Sequence, residues 1–280
     1  MTPASAREWT LPGAGGIALF AQSWLPAGTA RDVVVIAHGY AEHSGRYTNV
    51  VERLVPAGYA VHAIDHRGHG RSGGRRALVD RMEYVLADLD GFLSQVRGLH
   101  DGMRVKLLGH SMGGSIAFGY ALRHPEKLSG LILSGPAMGG LVPPLQRLIL
   151  RAIAAVAPNL GTPALPPEAI SRDAAVVEAY IDDPLVTVGK VPARTAAELV
   201  AAAQSYPARA PGMLLPVLIQ HGGEDIPVPP ADNRALYEAI GSPDKTIKIY
   251  DGLYHEIYNE PERDAVIGDL LAWLHSHPPR

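Results

Sequence analysis

Cysteine is absent from the 280 residues. Disulfide bonds, thiolate catalysis and cysteine-ligated zinc are therefore excluded from the outset. No run approaches the roughly 18 uninterrupted apolar residues that a membrane-spanning helix needs. Residues 1–9 lack the apolar stretch of about 7–15 residues that marks a secretory leader. Lysine is scarce, at 5 of the 25 basic residues, and the net charge is only −3. No basic region offers a nucleic-acid footprint. The arginine excess, with abundant alanine, glycine and proline, fits a high-GC genome better than a binding role. These absences lead to the expectation of a cytoplasmic protein, with peripheral membrane association left open. The length allows a large core in one compact domain.

Against those absences stands Gly109-His110-Ser111-Met112-Gly113, placed between the apolar run Val105-Lys106-Leu107-Leu108 and the helical start Gly114-Ser115-Ile116-Ala117-Phe118. Strand, sharp turn and helix with a serine at the turn form a nucleophile-elbow pattern, which points to serine hydrolase chemistry. A serine held on a strained turn forces strand and helix together, and Gly109, Gly113 and Gly114 leave the room. The bare pattern G-x-S-x-G should arise by chance about 0.1 times in a chain of this length, yet a second copy exists, Gly70-Arg71-Ser72-Gly73-Gly74. That copy follows no apolar strand and opens no helix, so context selects Ser111.

Short apolar runs at 17–24, 33–37, 59–64, 105–108 and 131–134 read as strands, with helical patterns near 46–56, 80–99 and 112–123 between them. Further strands at 217–220 and 246–250 follow, with helices near 230–240 and 262–275. Strands alternating with helices imply an α/β fold with a mostly parallel sheet covered on both faces, whose chemistry gathers beyond the carboxyl ends of the strands. From 136 to 211 the rhythm breaks: the segment is rich in alanine and proline and shows helical periodicity without a convincing strand. It reads as a helical cap inserted between core segments 1–135 and 212–280. Its clearest helix, near 144–156, carries Leu145, Leu148, Ile149, Ala152, Ile153 and Val156 on one face and Gln146, Arg147 and Arg151 on another. Two readings compete for the apolar face: packing on the core or lining an acyl pocket, or resting on a lipid surface with the arginines toward phosphates.

A serine hydroxyl needs a base within hydrogen-bond reach and an acid to orient that base. On such folds the chain order is serine, acid, histidine. Downstream lie His255, His275 and His277, of which the last two sit at the chain end, where solvated residues are usual. His255 follows the strand at 246–250 through a short turn and is the expected base. Asp225, just beyond the strand at 217–220, is the expected acid, with Glu224 as the local alternative. Asp173, Asp182, Asp183, Asp232, Asp244 and Asp251 read as cap or turn residues. The backbone N–H groups of Met112, after the nucleophile, and Tyr40, in the loop after the strand at 33–37, are the expected oxyanion donors. His62, His66 and His69 with Asp65 suggest a metal site, but a glycine-rich turn packed under the active site accounts for them equally well. No metal or cofactor is expected.

With these residues in place, the chain resembles the monoacylglycerol lipases of the α/β-hydrolase superfamily, especially the actinobacterial ones. The resemblance spans nearly the whole chain and rests on His38-Gly39-Tyr40-Ala41-Glu42-His43-Ser44-Gly45-Arg46-Tyr47, the segment 65–72, the elbow, the cap segments 171–173 and 180–185, and Tyr254-His255-Glu256. It implies an α/β-hydrolase fold, the triad Ser111, Asp225 and His255, the donors Tyr40 and Met112, and a lipid ester as substrate. It also implies that Glu42 and Arg46 shape the polar end of the pocket that takes glycerol, although an ordinary ion pair at a helix entry would use the same two residues. Two positions depart from the pattern: Ile226 replaces a basic or polar residue after the acid, and Tyr258 stands where some relatives carry a glycerol-contacting histidine. The expected activity is hydrolysis of a monoacylglycerol to glycerol and a fatty acid through an acyl-enzyme. The alternatives are a lysophospholipase or broad carboxylesterase, an acyltransferase, or a silent lipid-binding module. Haloalkane dehalogenase and epoxide hydrolase chemistry would place a carboxylate at the elbow, where this chain has serine.

Overall fold

In the computed structural model, residues 7–139 and 142–279 are described. Residues 1–6, most of the stretch inspected for a leader, and Gly140 and Leu141 of the 136–211 segment lie outside the described residues. The chain runs β1 (Arg7–Pro12), β2 (Ala18–Trp24), β3 (Asp32–Ala37), α1 (Thr48–Leu54), β4 (Tyr59–Ile64), α2 (Met82–Leu99), β5 (Val105–His110), α3 (Met112–Ala121) and β6 (Leu128–Ser134). It continues through α4 (Pro144–Val156), β7 (Gly161–Ala164), α5 (Ala174–Asp182), β8 (Lys190–Pro192) and α6 (Ala193–Arg209). β9 (Val217–Gly222), α7 (Pro230–Ala239), β10 (Lys245–Tyr250) and α8 (Arg263–Ser276) complete it.

Eight strands form one sheet in the order β1-β2-β4-β3-β5-β6-β9-β10. β1 and β2 pair antiparallel with each other, and β2 with β4, whereas every pairing from β4 to β10 is parallel. The central strands are continuous apolar runs because both faces are covered. Along β3, Val33 and Val35 join the core cluster under α2 and α3, and Val34 and Ile36 join the opposite cluster under α1 and α8. The pleat alternates side chains between faces, so one short valine-rich strand feeds both cores. This is the mostly parallel α/β architecture expected from the sequence.

Two features depart from expectation. β1 was not foreseen, because among its residues only Leu11 is buried and Pro12 closes it, so no period-2 apolar pattern marks it. It is an edge strand, one of the few places in a sheet where proline is tolerated. The 136–211 segment also contains strand: β7 and β8 form a small antiparallel pair. Each is four residues or fewer and contains a proline.

The segment between β6 and β9 is fastened to the core mainly through α6. Thr195 Oγ1 accepts from Val79 N (2.8 Å) and donates to Ala77 O (2.9 Å), and Tyr206 donates to Ser115 O on α3 (2.7 Å). α4 lies on α6. Its apolar face does not pack on the sheet: Leu145, Leu148, Ile149 and Val156 are 50–85 % exposed, and Ala154 alone in the helix is buried. The core-packing reading of that face is thus overturned. Among the described residues no helix is long and apolar enough to cross a membrane.

Candidate active site

Parallel pairing brings the ends of β3, β5, β6, β9 and β10 to one edge of the sheet. Ala37 sits opposite Gly109, His110 opposite Ser134, Ser134 opposite Gln220, and Tyr250 opposite Gly222. The loops that follow carry the residues expected to do chemistry.

Ser111 lies between β5 and α3 with φ 51° and ψ −117°, a conformation costly for a residue with a side chain. Its surroundings enforce it. A Cβ on Gly113 would fall 2.0 Å from Ala37 O, one on Gly109 2.4 Å from Gly113 O, and one on Gly114 2.6 Å from Pro136 Cβ. The three glycines therefore allow the elbow to close against β3 and the loop after β6. Ser111 N donates to Ser134 O (3.0 Å), and its carbonyl accepts from Ala137 N (2.9 Å) and Ser115 N (3.1 Å).

Asp225 and His255 meet after β9 and β10. His255 Nδ1 donates to Asp225 Oδ2 at 2.6 Å, which leaves Nε2 as the nitrogen available to the serine. Burial alone would lower the His255 pKa, but the hydrogen bond and charge of Asp225 outweigh it and raise the pKa above 6.5. Burial likewise works against the Asp225 charge. Hydrogen bonds from His221 and His255 reverse this and hold the carboxyl well below the usual range. Ser111 and His255 line one small cavity with Gly39, Tyr40, Glu42, His110 and Glu256 from the core and Leu165, Pro167, Ile170 and Tyr180 from the inserted segment. Its free volume of about 20 Å³ has room for little more than one water. Glu224, the alternative acid, has no hydrogen bond to His255; its N–H donates to Leu253 O (2.9 Å). His275 and His277 lie on and just after α8, where His277 pairs with Asp244 (3.1 Å).

The loop after β3 is fixed through the two peptides that flank Gly39. His38 Nδ1 donates to Gly39 O (2.7 Å), and Gly39 N donates to Glu42 Oε1 (2.5 Å). The first bond orients the peptide that ends in the N–H of Tyr40. A Cβ on Gly39 would lie 3.3 Å from that of Ser111, so the loop passes directly beside the serine. Met112 opens α3, where N–H groups have no intrahelical acceptor.

Glu42 and Arg46 stand together with Glu256 in a buried cluster. Arg46 Nη2 donates to Glu256 Oε2 at 2.6 Å, its Nε is 3.6 Å from Glu42 Oε2, and its guanidinium lies over the Tyr180 ring at 4.8 Å. Glu42 also accepts from Tyr47 OH (2.8 Å). Burial, then the Glu256 charge, pushes the Glu42 carboxyl up to about 7 despite Arg46. Tyr258 is buried and donates to Gln220 Oε1 (2.8 Å).

The remaining candidates have structural partners. Ser72 donates to Asp65 O (2.6 Å) and accepts from Phe20 N (2.8 Å). Asp65 accepts from Ser44 and Arg71 N, His66 N donates to His38 Nε2 (2.8 Å), and His69 Nδ1 donates to Arg67 O (3.0 Å). The turn thus props the loop beside Ser111 from below. Two residues with no role assigned from sequence also lie against these side chains. His110, whose ring centroid is 4.7 Å from that of His255, has its pKa lowered by burial and then by His255. His221 lies against Asp225.

Residues 28–262 match the family described as serine aminopeptidase, S33. The chain is 40% identical to "Monoacylglycerol lipase" of Mycolicibacterium smegmatis over 99% of its own length and all of that protein's. It is 32% identical to "Monoglyceride lipase" of Rattus norvegicus over 98% of this chain and 93% of that one. The chain belongs to the monoacylglycerol lipase family. The crystal structure of the Paleococcus ferrophilus monoacylglycerol lipase superposes with a TM-score of 0.83 at 31% identity, covering 92% of this chain and 99% of that one. The fold is the α/β-hydrolase fold, and the protein is a serine hydrolase of this family.

Proposed function

We propose that this enzyme hydrolyses monoacylglycerols, with Ser111 as nucleophile, His255 as general base and acid, and Asp225 as the group that orients the imidazole. The observation that carries the reading is the 2.6 Å bond from His255 to Asp225, beside a strained serine in the same cavity. Ser111 Oγ attacks the ester carbonyl while His255 Nε2 takes its proton. The oxyanion is met by the N–H groups of Tyr40 and Met112, and each well-placed donor of this kind is worth about 10²–10³-fold in rate. His255 passes the proton to the departing glycerol oxygen, leaving an acyl group on Ser111. Water, deprotonated by the same imidazole, then releases the fatty acid. Glu42 lines the cavity with Ser111 and bears a carboxyl group suited to a glycerol hydroxyl, and Arg46 supports it from the ion-pair cluster with Glu256.

The segment 136–211 acts as a cap, with Leu165, Pro167, Ile170 and Tyr180 over the serine. These side chains narrow the space beside the serine, and the acyl chain is proposed to lie beneath them. The exposed apolar face of α4, bordered by Arg147 and Arg151, is proposed to rest on the lipid surface that presents the substrate.

Fatty-acid release from a long-chain monoacylglycerol, a matched lysophospholipid, a triacylglycerol and a short-chain ester tests the assignment, with Ser111→Ala as blank. Preference for the monoacylglycerol is expected. Equal rates on all esters would reduce the function to a broad carboxylesterase, and preference for the lysophospholipid would replace the substrate while keeping the triad.

A further inference from the structure

Asp225 is anchored by more than the base it orients. Its Oδ1 accepts from Val228 N at 2.8 Å, and its Oδ2 accepts from His255 Nδ1 at 2.6 Å and, 3.1 Å from His221 Nε2, shares that nitrogen's proton with Val228 O. His221 is wholly buried at the end of β9. We infer that His221, held in one tautomer by Asn233, is a positioning residue that fixes the Asp225 carboxylate as a second imidazole donor. The inference rests on the triad reading above.

The tautomer follows from the partners. Two acceptors face Nε2 of His221, Asp225 Oδ2 and Val228 O at 2.8 Å, so that nitrogen carries the proton. On the other side Asn233 Nδ2 donates to Nδ1 at 3.1 Å, which requires Nδ1 to be unprotonated. The amide of Asn233 is itself oriented, because the same Nδ2 donates to Pro136 O at 3.0 Å. Asn233 is fully buried on α7, and Pro136 follows Gly135, where a Cβ would come within 3.2 Å of both Asp225 Oδ2 and His255 Nδ1. A chain of oriented donors therefore runs from α7 through His221 to the carboxylate, and a contact from the same asparagine holds the loop beside the triad.

The chemical consequence concerns the base. A carboxylate with a single imidazole partner can rotate and directs all its basicity at that partner. With Val228 N and the shared His221 proton beside His255, Asp225 has one orientation and stays ionised, and it pulls less strongly on the His255 proton. His255 also faces Glu256 and Glu42, with Arg46 between those two and the His110 ring alongside. None of these groups changes when His221 is replaced, so the effect of a substitution at 221 reports on Asp225.

The test compares His221→Met, which removes both nitrogens at similar volume, His221→Gln, whose amide can donate to Asp225, and Asn233→Leu, which frees the ring. The pH profile of kcat/KM on one monoacylglycerol is recorded for each, together with Tm and the stoichiometry of Ser111 labelling by a phosphonate ester. His221→Met is expected to lower kcat by roughly ten- to a hundredfold, the scale of a misplaced catalytic group, with KM little changed. Its acidic limb should move to higher pH. His221→Gln should recover most of the rate and the wild-type limb, and Asn233→Leu should move in the direction of His221→Met. If folded, fully labelled His221→Met keeps the wild-type kcat and profile, or if all three variants lose rate equally with no shift of the limb, the positioning role is overturned. Should His221→Met fail to fold, a wild-type limb in Asn233→Leu would overturn it instead. Failure of the triad reading is a separate result: it would appear as wild-type turnover in Ser111→Ala or Asp225→Asn.

Discussion

The Glu42 carboxyl, pushed up to about 7 by burial and by Glu256, titrates close to neutrality beside the proposed oxyanion loop. Its folded pKa lies above its unfolded one, so its contribution to stability is fully present below about 4.3, the unfolded value, and is lost as pH rises through about 7. Glu42→Gln keeps an acceptor for Gly39 N and Tyr47 OH but removes the titration. Thermal unfolding from pH 5 to 8 should show a smaller decline in the variant than in the wild type, and parallel curves would contradict the cause given for the shift. Glu42→Ala instead strands two buried donors, at a cost of about 1–3 kcal/mol each, and should also reduce kcat through the loosened loop. His255 supplies the second pH signature. Its pKa is raised and only the neutral imidazole acts as base, so kcat/KM should fall on acidification with a midpoint above 6.5; a midpoint below 6.5 would speak against the Asp225 contact in solution. At this scale the proposed Ser111, Asp225 and His255 stand out in the sequence because each lies at or a few residues beyond a strand end, in the order serine, acid, histidine. His221, His110 and Asn233 were not legible, since their roles arise from side chains that only the folded chain brings together.

Elements explain why the site tolerates so little change. The elbow closes because β5 and α3 meet without side chains, and a Cβ at 113 would lie 2.0 Å from a backbone carbonyl of β3. Gly113→Ala should therefore destabilise by more than the roughly 1–3 kcal/mol of ordinary overpacking and depress kcat, as denaturant unfolding and turnover would reveal. Lys106 on β5 and Asp32 on β3 form a wholly buried ion pair within the sheet. Removing either partner alone should cost about 3–5 kcal/mol, whereas replacing both with apolar residues of similar size should cost much less. A double-mutant cycle measures this, and additive losses would contradict it. Strands buried on both faces announced themselves as apolar runs, and the 144–156 helix matched its expected span. The edge strand β1 and the β7–β8 pair lack that signal, because an edge needs few buried residues and a three- or four-residue strand is too short for a period. The outward turn of the α4 apolar face was equally hidden, since periodicity shows that a face exists but not what it meets.

For the whole molecule, the inserted segment between β6 and β9, proposed as a cap, lies over the strand ends that carry Ser111 and His255. That segment meets the core through α6, through Glu256 N–H to Ile170 O (2.8 Å) and through Thr187 N–H to Ala41 O (2.9 Å), while α4 presents leucine and isoleucine outward. Leu148→Asp with Ile149→Asp should weaken sedimentation with anionic phospholipid vesicles while leaving hydrolysis of a short, water-soluble ester intact. Loss of both activities together would show that the face is structural. The central claim is that Ser111 forms a covalent acyl-enzyme, activated by His255. The most direct measurement is the intact mass and peptide map of the protein after reaction with a long-chain phosphonate ester. One adduct per chain is expected, on Ser111, formed at a rate that collapses in His255→Ala. An adduct on Ser72, or none on a preparation that still releases fatty acid, would contradict it.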